Sequence, residues 1–244
     1  VNEAYRHTRQ DNFFKVRGVS LTNYIYDEVC EHRFLGNAQT IGLRHGMPLE
    51  TGDGQMSSQI TSGLRRELIF LVLQFLGEEG LSTTLHALEA ESGLYFNQQY
   101  FERLILHGKW DELEKYLSMF THLQDNRYSQ KTFFEIRKQK FLEALDSKDK
   151  HLAVDILTKD LRVFKHNNEH LYLEMTSLLA LEDFRENEHL ANYRDAETAR
   201  EAVRDVLQKL IQANPKFLNK LKFPALREST LKSLIGQSRS FHRQ

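Results

Sequence analysis

An all-α domain is the fold class the sequence predicts. Apolar residues recur at spacings of three and four from Met56 onward, short breaks marked by glycine, asparagine or aspartate separate these runs, and no strand–helix alternation occurs. Only three prolines occur in 244 residues, which leaves long stretches free to be helical.

The first helix is expected to follow Met56. Leu64, Leu68, Leu71, Val72 and Phe75 form a stripe that predicts burial along one face, and Ile69, Phe70, Leu73 and Leu76 spread apolar surface around most of the rest. A helix this apolar needs partners on two sides, and a second subunit is one way to supply them. Gly77 and Gly80 bracket Glu78-Glu79 and break it. Ser82-Thr83-Thr84 opens a second helix with Leu81, Leu85 and Leu88, ended by Glu91-Ser92-Gly93.

Phe101, Leu104 and Ile105 mark a short helix that stops at Gly108, and Asp111 precedes another with Leu113, Tyr116 and Leu117. Thr132 to Leu145 reads as an amphipathic helix whose apolar set is Phe133, Phe134, Ile136, Phe141 and Leu142. Asp149 introduces a helix with Leu152, Val154, Ile156 and Leu157, and Leu171 to Leu181 forms the next. Asp195 is placed to cap Ala196 to Gln212, with Val203, Val206, Leu207, Leu210 and Ile211 as its face, before Asn214-Pro215 stops it. A last helix is expected near Ser229 to Ile235, ending at Gly236.

Residues 1–55 lack periodicity and are expected to be an unstructured leader or a non-native extension. Their glycines (Gly18, Gly36, Gly42, Gly46, Gly52, Gly54) and the run Gly46 to Gly54 read as linker. The first residue is Val1, so the chain is expected to be a piece of a longer protein.

Charge and composition narrow the function. Lys+Arg 33 against Asp+Glu 34 leaves a net charge of -1, which argues against sequence-specific nucleic-acid binding as the main role. Apolar runs are too short for a membrane span. The single cysteine, Cys30, excludes an internal disulfide and a multi-cysteine zinc site, and it has no basic partner set to make it a nucleophile. His166 and His170 have a metal-compatible spacing without a third ligand nearby, and Glu186 and Glu188 lie on a charged run that reads as solvated. No nucleophile elbow, zincin, Walker or dinucleotide-binding motif is present, so neither a catalytic residue nor a cofactor is expected. The lysines and arginines between Leu218 and Arg243, with Phe223 and Phe241 among them, read as a surface tail.

Two sets of residues make the reading specific. Leu68…Leu71-Val72…Phe75-Leu76, then Gly77-Glu78-Glu79-Gly80, Leu85…Leu88 and Glu91-Ser92-Gly93, resemble a LisH motif. Gly108-Lys109-Trp110-Asp111-Glu112, Asp125-Asn126-Arg127-Tyr128-Ser129, Phe133 through Leu145, Leu181 through Glu188 and Ala213-Asn214-Pro215 follow it. Together they resemble the N-terminal domain of the plant Topless and Topless-related corepressors, from about Met56 to about Ser238, with a departure at Gln59 to Gly63.

The resemblance implies a LisH hairpin at 56–92, a CTLH segment at 93–152, CRA-like helices at 153–238 and a tail at 239–244. It implies a nuclear corepressor scaffold, assembled as a dimer of dimers, that binds EAR-type (L-x-L-x-L) peptides of repressors and adaptors; WD-repeat propellers lie further along the family's chain. By position it assigns Tyr95, Phe134, Phe164, Leu171, Leu190 and Leu210 to an apolar groove floor and Arg127, Lys131 and Lys138 to a basic rim. Lys131, Phe134 and Lys138 fall at i, i+3 and i+7 on one helix, an aromatic between two cations. Tyr95 stands where phenylalanine is common in the family. The resemblance places Leu68, Leu71 and Phe75 at the LisH contact and Arg162, Thr176, Ser177 and Glu182 at the second interface, where Arg162 and Ser177 depart from the usual residues. Gly236 stands where asparagine is usual. A LisH-CTLH-CRA scaffold of a ubiquitin-ligase assembly is the alternative, and EAR-peptide binding discriminates the two.

Overall fold

The computed structural model describes residues 53–166 and 168–242, with side chains from Gly63 onward. Cys30 and the leader up to residue 52 lie outside the described residues. The order is α1 (Asp53–Glu78), α2 (Ser82–Ser92), α3 (Gln98–Leu106), α4 (Trp110–Ser118), α5 (Arg127–Asp146), α6 (Lys150–Ile156), a π-turn (Leu157–Leu161), α7 (Arg162–Lys165) and α8 (Glu169–Leu178). A 3-10 turn (Phe184–Glu186), α9 (Ala196–Ala213), a second 3-10 turn (Pro215–Phe217) and α10 (Thr230–Phe241) complete it. No strand occurs among the described residues, as the periodicity predicts. None of the described helices is long and apolar enough to cross a membrane. The chain divides into two compact units, one holding Phe134–Val203 and the other the described residues 53–133 and 204–242, so the division falls within α5 and α9.

In the second of these units α1 and α2 form a hairpin. Gly80 takes φ +71° at the bend, a left-handed conformation suited to glycine, and Leu81 N–H donates to Leu76 O at 2.9 Å. Gly93 ends α2 in the left-handed conformation, donating to Glu89 O. The apolar circumference of α1 is split. Phe70, Leu73 and Leu76 are buried within the chain, whereas Leu64, Leu68 and Val72 of the expected stripe stay exposed, Leu68 by 50%. The predicted burial of that stripe is therefore not met inside one chain.

Two polar residues fix the following helices. Asn97 Oδ1 accepts from Tyr100 N–H at 3.0 Å and caps α3, and Asn126 Oδ1 accepts from Tyr128 and Ser129 N–H at 2.9 and 3.0 Å. The second cap starts α5 at Arg127, five residues before the expected Thr132. Asn126 also donates to Asn214 Oδ1 at 3.0 Å, and Asn214 donates to Ser129 Oγ at 2.9 Å, so Asn214 is buried with its polar atoms engaged. Phe96, Tyr116, Phe120 and Phe217 build the aromatic core of this unit, Phe96 meeting Phe217 edge-on at 4.7 Å.

The same unit joins α1 to α10. Gln74 Nε2 donates to Arg227 O at 2.6 Å, the Glu78 carboxyl accepts from Ser229 N–H and Oγ–H at 2.8 and 3.2 Å, and Lys232 pairs with Glu79. α10 runs through Gly236 to Phe241 and does not end at that glycine, because Gly236 does not take the left-handed conformation with which Gly93 ends α2. At the other end of the unit, α1 begins at Asp53, so Asp53 and Gly54 belong to its first turn and not to the expected linker.

In the unit Phe134–Val203, Asp149 and Asn168 cap α6 and α8, accepting from Leu152 and Leu171 N–H at 2.9 and 3.0 Å. α6 buries Ala153 and Ile156, and Leu152 and Val154, expected in its apolar set, are exposed. The π-turn that follows inserts a residue into the helical ladder and so shifts which face α7 presents. Arg185 is the polar hub: it donates to Asp146 and to Tyr193 O, and its guanidinium lies over the Phe184 and Tyr193 rings. Arg200 binds Glu143 in bidentate fashion at 2.7 and 2.8 Å. The cap expected at Asp195 is made, with Thr198 N–H donating at 2.7 Å.

Candidate functional site

Sequence reasoning brings its strongest cluster to α5. Within the unit Phe134–Val203, the Phe134 ring meets Phe164 edge-to-face at 5.2 Å, Lys138 Nζ lies 5.8 Å from the Phe134 ring, and Arg137 lies 5.8 Å from the Phe164 ring. Arg137 Nη1 also donates to Asp160 O in the π-turn at 2.7 Å, which ties α5 to the segment that carries Phe164. Leu171 on α8 and Leu190 are buried in the same unit.

The residues of this unit assigned to the groove by resemblance are closely packed. Phe134 is 1% exposed, and Lys138, Phe164, Leu171 and Leu190 are each 3% exposed. Each is packed into the core, so a ligand leucine reaches Phe134 only if side chains move. Lys138 is buried as well. Its Nζ lies 2.6 Å from Glu135 Oε2, and the two side chains are almost fully buried.

Tyr95, Arg127, Lys131 and Leu210 belong to the other unit. Tyr95 is half-buried and packs edge-on against Phe223 at 5.1 Å; burial first, then the Glu89 charge, raises its phenol above the ordinary range. Arg127 is exposed, donates to Tyr128 Oη at 2.9 Å and lies over that ring, while Lys131 and Leu210 are half-buried.

Of the residues expected at interfaces, Leu71 and Phe75 are half-buried beside the exposed Leu68, and Arg162, Thr176, Ser177 and Glu182 are all exposed. Thr176 and Ser177 spend their hydroxyls on Tyr172 O and Glu174 O of their own helix. Val163 and Leu173, exposed apolar neighbours of these positions in sequence, were not singled out from the periodicity. His166 and His170 are exposed, and no group of three potential ligands forms among the described residues.

Sequence reasoning missed two residues beside Phe134. Arg137 and Glu135 fall in the gaps of the Lys131–Phe134–Lys138 pattern; the available signal was the i, i+3 spacing of Glu135 and Lys138, which suits an ion pair. It also missed Glu89, buried with its carboxyl bound to Asn97 Nδ2, Tyr116 Oη and His86 Nδ1. Beside that group a cavity of about 710 Å³ opens among α2, α3 and α4, lined by residues including His86, Tyr100, Arg103 and Lys115; none of the expected groove residues lines it.

The sequence matches the TPR1-like, CTLH-containing domain over residues 97–221 and the LisH-like dimerisation domain over residues 57–94. Protein TOPLESS of Arabidopsis thaliana is 58% identical over 183 residues. The chain belongs to the Topless family. Topless-related protein 1 of Arabidopsis thaliana is also 58% identical, and Protein TPR3 of Oryza sativa subsp. japonica is 56% identical. Each alignment covers 75% of this chain and 16% of the relative, so the chain spans about a sixth of the length of the Topless proteins it matches. All of the α1–α2 hairpin but the first four residues of α1 falls inside the LisH-like match, and the Phe134–Phe164 cluster inside the CTLH-containing one.

Proposed function

We propose that this Topless-family chain is a corepressor scaffold segment that oligomerises and captures EAR-type peptides of repressors and adaptors in the nucleus, with no reaction of its own. The observation that carries the reading is the 58% identity to Protein TOPLESS over 183 residues. It also favours the corepressor over the ubiquitin-ligase scaffold. The segments 56–92, 93–152 and 153–238 then act as LisH, CTLH and CRA parts.

Peptide capture rests on the aromatic pair of α5 and α7. A leucine fully buried against Phe134 and Phe164 gains about 1.5–3 kcal/mol, enough for a short leucine-rich peptide to bind through two or three anchors if moving the covering side chains costs less. Leu171 and Leu190 extend the apolar lining in the same unit. The resemblance gives Tyr95 and Leu210, in the other unit, an apolar role as well. Lys131, with Arg127 and Lys138, supplies the cations that an acidic peptide flank would meet, acting on orientation and encounter rate more than on affinity.

Self-association rests on Leu64, Leu68 and Val72, which fall at i, i+4 and i+8 on α1 and stay exposed among the described residues. Leu71 and Phe75 flank them. Arg162, Thr176, Ser177 and Glu182 would join two such dimers. Several linked sites raise the apparent affinity for clustered repressors without any new contact.

The test is a titration of a fluorescent L-x-L-x-L peptide with acidic flanks against the 244-residue chain, with the leucine-to-alanine peptide as control. Saturable binding of the first only, weakened by Lys131→Ala, is expected. Equal binding of both peptides, or of neither, overturns the reading.

A further inference from the structure

The buried pair beside Phe134 is unusually poorly satisfied. Glu135 Oε2 and Lys138 Nζ are 2.6 Å apart, yet the approach angle is not that of a hydrogen bond: Lys138 Nζ and Glu135 Oε1 are both buried with no hydrogen-bond partner. Distance and angle disagree here, and both count. The charges attract, but the ammonium's donors and one carboxyl oxygen remain unused where both side chains are almost fully buried. Burying a carboxyl and an ammonium costs several kcal/mol each, which only a well-bonded geometry offsets. The half-buried contact of Arg200 with Glu143 in the same unit is bidentate, so a complete pairing is within reach of this fold.

We infer that Glu135 is a specificity-determining residue that sets how strongly the site selects a carboxylate on the incoming peptide. The inference rests on the peptide-binding reading above. Lys138 lies 5.8 Å from the Phe134 ring, so the ammonium covers the aromatic that a ligand leucine must reach. Its unused donors are available to a ligand acid. Glu135 opposes that acid, because a peptide carboxylate taking Lys138 either leaves Glu135 buried without its counter-charge or is held near it as a like charge. The family resemblance names Lys138 as a cation for the ligand; the geometry adds that its charge is already matched before any ligand arrives. Discrimination is then set by the competition between two carboxyl groups for one ammonium.

The test compares two labelled leucine-rich peptides on the 244-residue chain, one with glutamates flanking the leucines and one with glutamines. Glu135→Gln removes the competing charge and should raise the ratio of acidic-to-neutral peptide affinity about tenfold. Glu135→Asp keeps the charge but withdraws it by about one carbon–carbon bond, and should raise the ratio about threefold. The second variant decides the matter if the first does not fold, as judged by circular dichroism. Two peptides that bind with a ratio unchanged within about twofold in the folded variants overturn this inference alone. If neither peptide binds the wild-type chain, the peptide-binding reading falls and this inference with it.

Discussion

Glu89 and Tyr116, 27 residues apart in the chain, meet at 3.2 Å in the interior, the phenol donating to the carboxyl. The same phenol oxygen accepts Asn97 N–H at 3.0 Å, and the other carboxyl oxygen accepts from Asn97 Nδ2 at 3.0 Å. One closed polar group thus binds the second helix of the LisH-like hairpin to α3 and α4. Burial foremost, then the Glu89 charge, drives the Tyr116 phenol well above its ordinary range, so it stays a donor throughout the usable pH scale.

Removing that donor should be costly out of proportion to its size. Tyr116→Phe leaves Asn97 N–H and a Glu89 oxygen without this partner, and each stranded buried group costs about 1–3 kcal/mol. Urea unfolding should place the variant about 2 kcal/mol or more below wild type, whereas changes at exposed surface positions stay within about 0.5 kcal/mol. A loss below that second figure rules out the buried group as a structural tie.

Phe134→Ala is expected to lose about 3–5 kcal/mol of stability, since the ring is fully enclosed and its removal leaves a cavity. A binding defect in that variant would therefore confound folding with recognition. Phe134→Leu fills most of the space and should unfold about 1–2 kcal/mol more easily. Thermal melts of the two separate a packing role from a ligand contact, and only a peptide defect in the folded leucine variant speaks for the latter.

Leu68→Asp should split the proposed dimer while leaving the fold intact. Its side chain is half exposed in a single chain, so the charge meets water unless a second copy covers it. Light scattering is expected to report a molar mass about half that of wild type, with unchanged helical circular dichroism. An unaltered mass speaks against α1 as the contact.

Acid should weaken the loop before α5. His122 N–H donating at 2.7 Å is the foremost cause of a lowered Asp125 carboxyl, followed among the favourable contacts by Lys216 at 3.1 Å and Thr121 at 3.0 Å. A carboxyl lowered on folding stabilises above the ordinary carboxylate range, and the contribution drains away as pH falls through the native value. Wild type should therefore lose more stability than Asp125→Asn as pH falls below the ordinary carboxylate range. Parallel acid curves for the two remove this account.

Gly236→Ala should strengthen α10. A methyl group there meets nothing within 4 Å, and alanine is favoured over glycine inside a helix by about 1 kcal/mol. Because α10 buries no residue, slower amide exchange over residues 230–241 is the expected readout, with little change in the global melt. Faster exchange would mean that the glycine serves a contact made outside this chain.

The helices were readable because capping and periodicity are local. Asp149, Asp195 and Gly93 each do in the structure what their positions in sequence suggest. α5 starts earlier than expected because Asn126 caps it while also binding Asn214, a residue 88 positions away that no local pattern announces. Periodicity gave the apolar face of α1 but not which half of it the chain itself covers, since that depends on where α2 packs. The candidate site shows the same limit. Phe134 and Phe164 were legible as aromatics at matching family positions, but their depth, and the pairing of Lys138 with Glu135, follow from tertiary packing around α5.

Glu78 and Glu79 stand at the carboxyl end of α1, where negative charge opposes that helix's own dipole, and they are turned instead toward the start of α10. The hairpin and the last helix are consequently bound in a mutual arrangement that neither favours alone. A fragment trimmed at residue 221, where the CTLH-containing match stops, would discard Arg227, Ser229 and Lys232 and leave two acids and Gln74 facing solvent. Recombinant truncations of this chain should therefore retain residue 241, or the shortened product will fray at its amino-terminal hairpin and not at the cut.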